Sequence, residues 1–392
     1  MKRQKPLTGS VQSNGAWLYA VINTYVRGKR KQVWVNSWIP VTGSRRNAET
    51  FLREELARRE IERSKPQNIK DASKDMPFVD YMRLWLTTKK RKIEEITYQG
   101  YSALIEKYIK EYFTSIDARL STLEPNDIEE FYDFLYDKDL SGTTALRHHR
   151  IMKQALDYAV KKDILLYNIM SKVDAPQKNA FVAASYSADE LKELLEQAKG
   201  DVIFVPIVLA ATLGMRRSEV LGIKWRSVDF SAGTLTVEHK VLEVQGEHGL
   251  VVKGYDRLKT KSSRRTLPLP KLALEVLQVE KQRQADNRKA FKKAYCKERH
   301  DYVCVDAMGY HLRPTYVTAH FSWLLKKCGL RHIRYHELRH TAASLLASNG
   351  VPIKNIQLFL GHSNYSTTAD IYTHLDHRAQ EQSIGMMNKI LE

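Results

Sequence analysis

The most informative segment of the sequence reads Tyr335-His336-Glu337-Leu338-Arg339-His340-Thr341. The apolar run that follows it, Ala342 to Ala347, predicts a helix. His336 and Arg339 are three residues apart, so they share one face of such a helix and can bind the same oxyanion. The segment also satisfies the HExxH pattern, in which two histidines bind zinc and the glutamate acts as a base. An anion site and a zinc site are therefore both open at this point.

A second motif lies upstream, at the end of an apolar run. Gly214 follows Leu213 and predicts the end of one helix, which places Arg216 at the start of the next. A guanidinium and backbone N–H groups can converge on one anion at such a position. The alternative is that Arg216 only pairs with Glu219 one turn later.

A third segment is polar and carries two lysines between extended pieces. Lys259 and Lys261 lie within Leu258–Thr266, which predicts a turn between two strands. A lysine at the tip of a hairpin is a candidate proton donor, but any solvated turn has the same composition.

The fourth segment contains a histidine and a tyrosine beyond a glycine. Gly361 predicts the end of a helix, His362 follows it directly, and Tyr372 falls on a further short helix. One tyrosine among 20 is most often a packing residue, so Tyr372 alone indicates no chemistry.

Composition indicates a polyanionic partner. The chain has 392 residues, with 63 Lys and Arg against 45 Asp and Glu, and a formal charge of +18, which favours nucleic acid or an acidic membrane. The longest apolar run, Val202 to Leu213, is too short to cross a bilayer. Three cysteines without CxxC spacing, Cys296, Cys304 and Cys328, predict buried thiols. There is no phosphate loop and no magnesium-type carboxylate cluster, so nucleotide-driven chemistry is not expected.

Residues 1–65 predict a small α+β domain with a three-stranded sheet and one helix. Aromatic and β-branched residues fill Trp17–Tyr25 and Gln32–Trp38, and the separation of the two runs by Arg27-Gly28-Lys29 predicts a hairpin. A helix is predicted from about Asn47. The basic turn favours a contact with nucleic acid, although a solvated turn has the same composition.

The period becomes helical over residues 75–172, where four amphipathic segments predict a four-helix domain. Residues 173–186 lose this period and contain a proline, as a linker does. Residues 187–392 open on a capping box at Ser187 and Glu190 and predict a mixed α/β domain. Its strand-like runs are Thr234–Val237, Arg265–Pro268 and Tyr302–Val305. The predicted fold class is multidomain and mainly α, with small β-sheets.

Taken together, the four polar segments resemble the tyrosine recombinase, or phage integrase, family, and in particular an integrase of a phage or integrative mobile element. The motifs are RxxE at Arg216 and Glu219, the hairpin lysine, HxLRH, LGH and a tyrosine ten residues later. Each motif is common alone, but their order is specific. The resemblance covers most of the chain, since residues 1–65 are similar to an arm-type DNA-binding domain and residues 75–172 to a SAM-like core-binding domain. Residues 187–392 are then the catalytic domain.

The resemblance implies six catalytic residues: Arg216, Lys259, His336, Arg339, His362 and Tyr372. The two arginines would hold the nonbridging oxygens of a phosphodiester, because a guanidinium presents a planar fork and stays protonated. His336 would accept the tyrosine proton, and His362 would add a hydrogen bond to the phosphate. Glu219 would support its neighbours without reacting.

The remaining two residues would form and break the covalent bonds. Tyr372 would attack phosphorus and form a 3′-phosphotyrosine, and Lys259 would protonate the leaving 5′-oxygen. Lys261 is close enough in sequence to keep the choice of lysine open. Since the intermediate retains one phosphodiester for the one broken, neither a metal nor a nucleotide cofactor is expected.

The partners implied are double-stranded DNA at core-type and arm-type sites, further protomers in a homotetramer on DNA, and DNA-bending accessory proteins. The expected role is to integrate and excise a mobile element. A basic N-terminus without an apolar segment predicts no secretory signal and a cytoplasmic location.

Two other classes of protein compete with this interpretation. A zinc protease would need the longer HExxHxxGxxH pattern, which fails at Ala343. A noncovalent DNA-binding regulator is the better alternative, because Ala343–Val351 followed by Ile353–Leu360 superficially resembles a helix-turn-helix.

Overall fold

The computed structural model describes residues 7–26, 29–64, 75–179, 184–247, 249–256, 264–299 and 301–361. The chain divides into two compact units, Met1–Asn179 and Ala180–Glu392. Three of the six predicted catalytic residues, Arg216, His336 and Arg339, lie in the described ranges. The others, Lys259, His362 and Tyr372, lie outside them, as does the alternative lysine, Lys261.

The N-terminal part of the first unit is an antiparallel sheet with one helix. Its elements are β1 (Thr8–Asn14), β2 (Trp17–Val26), β3 (Lys29–Pro40) and α1 (Arg45–Ser64). The strands pair in the order β1-β2-β3, so the hairpin predicted from the two aromatic runs is confirmed. Leu52 of α1 packs on Ala20 and Ile22 of the central strand. This core is small.

Residues from Phe78 onward form the helical part of the first unit. Its helices are α2 (Phe78–Lys89), α3 (Glu95–Leu104), α4 (Lys110–Ser115), α5 (Pro125–Asp137) and α6 (Gly142–Lys161). A π-helical turn at Ile105–Ile109 joins α3 and α4 without a break, so the four predicted helices are confirmed. Buried aromatic side chains, among them Trp85, Phe113 and Phe131, fill the space between them.

The second unit is mainly helical. Its helices are α7 (Ala188–Gln197), α8 (Phe204–Leu213), α9 (Arg217–Leu221), α10 (Lys271–Phe291), α11 (Pro314–Lys327), α12 (Glu337–Ser348) and α13 (Ile353–Leu360). The residues of α8 are apolar on every face of the helix. The reason is that α8 is central and packs against α7, α9, α10 and α12. The capping box predicted at Ser187 and Glu190 is confirmed at the start of α7.

Small antiparallel sheets complete the second unit. Their strands are β4 (Val228–Asp229), β5 (Thr234–Val237), β6 (Lys240–Gly246), β7 (Gly249–Tyr255) and β8 (Arg265–Pro268). The sheets have the orders β4-β5-β8 and β6-β7. A mainly helical, multidomain fold with small sheets is therefore confirmed.

Two local expectations are wrong. Tyr302–Val305 is not a strand but makes only isolated bridges, from Tyr302 to Lys224 and from Val305 to His311. All four of its residues are buried, and a segment enclosed on every side gives the same apolar run as a buried strand. Of the three thiols only Cys304 is buried, since Cys296 and Cys328 are half-buried. No helix among the described residues is long and apolar enough to cross a membrane.

Candidate active site

Arg216 lies in the tight connection between α8 and α9. Gly214 ends α8 with φ of 59°, in the left-handed region. A Cβ atom there would lie 2.4 Å from Cδ2 of Leu360, so both backbone conformation and space require glycine. Arg216 is the extended residue before α9, with φ of −70° and ψ of 147°. The predicted helix end and helix start are confirmed.

Arg216 also forms the ion pair with Glu219 that the sequence offers as an alternative to an anion site. Its Nη1 donates to Glu219 Oε1 at 2.7 Å, and its backbone N–H donates to Glu219 Oε2 at 3.1 Å. Its Nη2 donates to the carbonyl oxygen of Gly361 at 3.1 Å. The Arg216 side chain is 34% exposed, so an anion in solvent can reach it while Glu219 fixes its orientation.

Arg339 lies in the first turn of α12 and points into the protein. The residue is 2% exposed. Its Nη1 donates to the carbonyl oxygen of Gly214 at 2.6 Å, and its Nη2 donates to that of Leu360 at 2.7 Å. These carbonyls belong to the ends of α8 and α13, where helices leave acceptors unsatisfied. Arg339 therefore ties two helix ends together.

The C-terminal end of α13 is the point where the arginines meet. Gly361 closes this helix in the left-handed conformation, with φ of 66°, as predicted. Three consecutive carbonyl oxygens there accept hydrogen bonds from three different arginines. The pairs are Arg265 Nε with Phe359 O at 3.1 Å, Arg339 Nη2 with Leu360 O at 2.7 Å, and Arg216 Nη2 with Gly361 O at 3.1 Å. A helix C-terminus carries partial negative charge, which favours cations at this place.

Arg265 is the member of this cluster to which sequence reasoning gave no role. It begins β8, where it pairs with Val237, and its Nη2 donates to Glu219 Oε2 at 3.0 Å. The side chain is 8% exposed. The only sequence signal was an arginine at the start of a short strand, which does not reveal a partner 94 residues later.

The cluster has more positive than negative charge. Among the residues that the structure describes, it comprises the guanidiniums of Arg216, Arg265 and Arg339 and the carboxylate of Glu219. Burial alone would raise the pKa of Glu219, but Arg265 and Arg216 outweigh it and hold that pKa below its usual value. Burial, and then Arg216, lower the pKa of Arg339 to about 9, so it remains a cation at neutral pH. An anion such as phosphate would balance the excess.

His336 stands directly before α12 and faces this positive charge. The residue is exposed to solvent, but the protein packed around its ring, followed by the charges of His340, Arg339 and Arg216, lowers its pKa to about 4. His336 is therefore neutral at physiological pH and able to accept a proton. A bound phosphate would raise its pKa, since a nearby negative charge favours the protonated form.

We expect the Cε1 proton resonance of His336 to titrate well below the usual histidine pKa of about 6.5 in the DNA-free protein. NMR titration measures this, with His336→Gln assigning the signal. The unfolded chain protonates His336 near the ordinary histidine pKa, whereas the folded chain protonates it only near pH 4. Protonation therefore favours the unfolded chain. The free energy of unfolding is unaffected by this group above the ordinary pKa and falls as the pH decreases from that pKa to about 4. Titration at or above the ordinary value would contradict the geometry.

The HExxH interpretation is not favoured by the geometry of its glutamate. Glu337 accepts from the backbone N–H of Arg334 at 2.5 Å and from its guanidinium at 3.1 Å, and its side chain is buried. Among the described ranges there is no group of three side chains that could hold a metal ion.

The structure thus brings Arg216 and Arg339 to one helix end, with His336 beside them. The other three predicted residues lie outside the described ranges, so only their positions in the sequence can be compared with this place. His362 is the residue after Gly361, and Lys259 lies in the segment between β7 and β8. Tyr372 follows ten residues after His362.

Two sequence profiles match the chain. Residues 185–378 match the phage integrase family, and residues 77–175 match the phage integrase SAM-like domain. One curated relative, a tyrosine recombinase XerC-like protein of Caldanaerobacter subterraneus subsp. tengcongensis, is 27% identical over 81% of this chain and 84% of its own length. Another, the ICEBs1 integrase of Bacillus subtilis (strain 168), is 23% identical over 90% of this chain and 92% of its own.

Solved structures share the fold. The Tn1549 transposon integrase in complex with a circular intermediate DNA has a TM-score of 0.63 and 21% identity, over 78% of this chain and 99% of that one. A lambda integrase tetramer bound to a Holliday junction has a TM-score of 0.59 and 18% identity, over 95% of this chain and 96% of that one. At these identities the likeness shows the architecture alone.

Proposed function

The chain belongs to the phage integrase family and is a tyrosine-type site-specific DNA recombinase, and from that premise we propose that it integrates and excises a mobile element using the arginine cluster at the end of α13. The observation that carries the proposal is the meeting of Arg216 and Arg339, from distant parts of the chain, at adjacent carbonyls. Cationic groups must already be in place where charge develops on the nonbridging oxygens of a phosphodiester.

In the proposed first step, the Tyr372 hydroxyl oxygen bonds to phosphorus while the bond from phosphorus to the 5′-oxygen breaks. His336 takes the tyrosine proton, and Arg216 and Arg339 stabilise the oxygens that gain charge. His362 adds a hydrogen bond to the phosphate. The free protein holds His336 neutral, which is the state a proton acceptor needs.

The leaving 5′-oxygen needs a proton, because a free alkoxide is a strong base. Lys259 is the proposed donor. The product is a 3′-phosphotyrosine and a free 5′-hydroxyl. Attack by the 5′-hydroxyl of another strand then breaks the tyrosine–phosphorus bond and reseals DNA without an external energy source.

The experiment that tests the function uses a duplex carrying the element's attachment site and a nick close to the cleavage position. The short 5′-hydroxyl fragment released on cleavage diffuses away, so the covalent intermediate accumulates. We expect a protein–DNA adduct that withstands denaturant and forms with EDTA present and nucleotides absent. A duplex of scrambled sequence is the control.

The regulator alternative predicts the opposite result in the same experiment. A noncovalent complex dissociates in denaturant and in high salt, because its affinity comes largely from counterion release. Binding to the attachment site without any adduct would overturn the proposed function.

The choice between the two lysines can be made with a modified leaving group. A duplex with sulfur in place of the bridging 5′-oxygen releases a thiolate, which needs no general acid. We expect Lys259→Ala to slow cleavage of the normal duplex by roughly 10²-fold or more and to cleave the sulfur duplex at nearly the wild-type rate. Lys261→Ala is the matched control. Rescue of Lys261→Ala alone would transfer the role to Lys261.

We further propose that residues 1–65 bind arm-type DNA sites and residues 75–172 bind core-type sites. The N-terminal sheet supports this with exposed aromatic side chains beside basic ones. Trp38 is 75% exposed, and Trp34 packs edge-on against Tyr19 with ring centroids 5.9 Å apart. Aromatic side chains with interleaved Lys and Arg are suited to nucleic acid.

Strand exchange between two duplexes cleaves and rejoins four strands, and each cleavage uses one tyrosine. We therefore propose a homotetramer on DNA, with accessory proteins that bend the DNA between arm and core sites. We also propose that the protein acts in the cytoplasm, where a bacterial chromosome is accessible. The tail beyond Arg378, a candidate contact with a neighbouring protomer, lies outside the described residues.

A further inference from the structure

Arg265 is a buried cation that the proposed chemistry leaves without a task. Its guanidinium spans two elements, because Nη2 donates to Glu219 of α9 at 3.0 Å and Nε donates to the carbonyl oxygen of Phe359 in α13 at 3.1 Å. Its side chain is 8% exposed, so its main contacts are with protein and not with solvent. Burying a guanidinium is costly unless it is paired and hydrogen-bonded, as it is here.

Glu219 connects Arg265 to Arg216. The Glu219 side chain is 4% exposed, and each oxygen has its own guanidinium partner, Arg216 Nη1 on Oε1 at 2.7 Å and Arg265 Nη2 on Oε2 at 3.0 Å. The carboxylate therefore stands between the two arginines and fixes their separation. If Arg265 is removed, Oε2 of Glu219 keeps only the backbone N–H of Arg216 at 3.1 Å, so the carboxylate is held less firmly and the Arg216 guanidinium on Oε1 is oriented less precisely.

We propose that Arg265 is a positioning residue of the recombinase, which holds Glu219 against the last turn of α13 and thereby fixes the orientation from which Arg216 acts on the phosphate. The inference rests on the proposed function. Arg265 and its carbonyl partner are also close in sequence to two of the proposed catalytic residues. Arg265 follows Lys259 by six residues, and its carbonyl partner Phe359 precedes His362 by three.

A lysine cannot replace this arginine. The contacts to Glu219 and to Phe359 leave from Nη2 and Nε of one planar group, which faces two acceptors on different elements at once. A lysine ammonium is a point charge without this fork, so it retains the charge but not the fixed spacing. A positioning role therefore predicts that charge alone does not restore activity.

The experiment compares Arg265→Lys and Arg265→Gln with the wild type in single-turnover cleavage of the nicked duplex. We expect both variants to cleave about 10- to 100-fold more slowly, as for other residues that orient reacting groups, while DNA affinity stays within about 3-fold. Arg264→Lys and Arg264→Gln are matched controls, because the neighbouring Arg264 side chain is 72% exposed and its contact within the described part of the chain is a long one, with Glu238 at 3.5 Å. Both controls should cleave at the wild-type rate.

A double-mutant cycle separates positioning from a direct contact with DNA. If Arg265 acts through Arg216, Arg265→Gln combined with Arg216→Gln should be no more than about 3-fold slower than Arg216→Gln alone. Losses that multiply would overturn the proposal, as would wild-type cleavage by both Arg265 variants. Rates are compared at a temperature below the thermal midpoint of each variant. If Arg265→Gln is unstable, Arg265→Lys, which retains the buried positive charge, is the variant compared with the wild type. Wild-type protein that forms no adduct would instead refute the proposed function itself.

Discussion

Replacing Tyr372 with phenylalanine is expected to abolish the covalent adduct while leaving DNA affinity within about 2-fold. Phenylalanine keeps the ring but has no hydroxyl oxygen, so no bond to phosphorus can form. The arginine cluster that we propose as the phosphate site is unchanged, and electrostatic contacts to phosphates supply much of the affinity of proteins for DNA. The measurement is denaturing electrophoresis of the nicked duplex beside a binding titration at the same salt concentration.

Tyr365 provides a matched control for this prediction. It lies seven residues before Tyr372 on the same side of His362, and Tyr365→Phe should form the adduct at the wild-type rate. An adduct formed by Tyr372→Phe would show that another residue is the nucleophile. Loss of the adduct in Tyr365→Phe alone would assign the attack to Tyr365.

The ends of the helices around the site were predictable because their signals are local. Gly214 and Gly361 each follow an apolar helix and adopt the left-handed conformation that glycine tolerates without strain. The pairing of Arg216 with Glu219 was also available from sequence, since a residue and its third neighbour face each other across one turn. The sequence left this pair as an alternative to an anion site. The structure shows the pair, and it leaves 34% of the Arg216 side chain exposed, so the pair does not exclude a bound anion.

The contacts of Arg265 and Arg339 were not predictable, since they join segments far apart in the chain. Arg339 binds the carbonyl of Gly214, and Arg265 binds that of Phe359, and backbone carbonyls give no sequence signal for their partners. The hairpin of β6 and β7 was also missed. Its residues 240–246 do not alternate cleanly between buried and exposed, because the successive residues Lys240 and Val241, which face opposite sides of the strand, are both buried.

Replacing Arg339 with lysine is expected to impair both cleavage and stability. Cleavage should fall by at least about 10²- to 10³-fold, as when a single oxyanion donor is removed. Lysine can reach at most one of the two carbonyl oxygens, of Gly214 and Leu360, that the guanidinium now binds. One buried acceptor is then left unsatisfied, which costs about 1–3 kcal/mol in the free energy of unfolding. Single-turnover cleavage and denaturant unfolding measure the two effects separately.

Arg334→Lys is the matched control, because Arg334 lies five residues earlier and its exposed side chain pairs with Glu337. It should cleave within about 3-fold of wild type and lose less than about 1 kcal/mol, because lysine keeps a positive charge beside Glu337 and the Arg334 side chain is itself 57% exposed. The two measurements on Arg339→Lys then distinguish its roles. Lost stability with wild-type cleavage would mean that Arg339 only anchors the ends of α8 and α13. Lost cleavage in a fully stable protein would mean that lysine satisfies both carbonyls, and that the guanidinium fork is required by the phosphate.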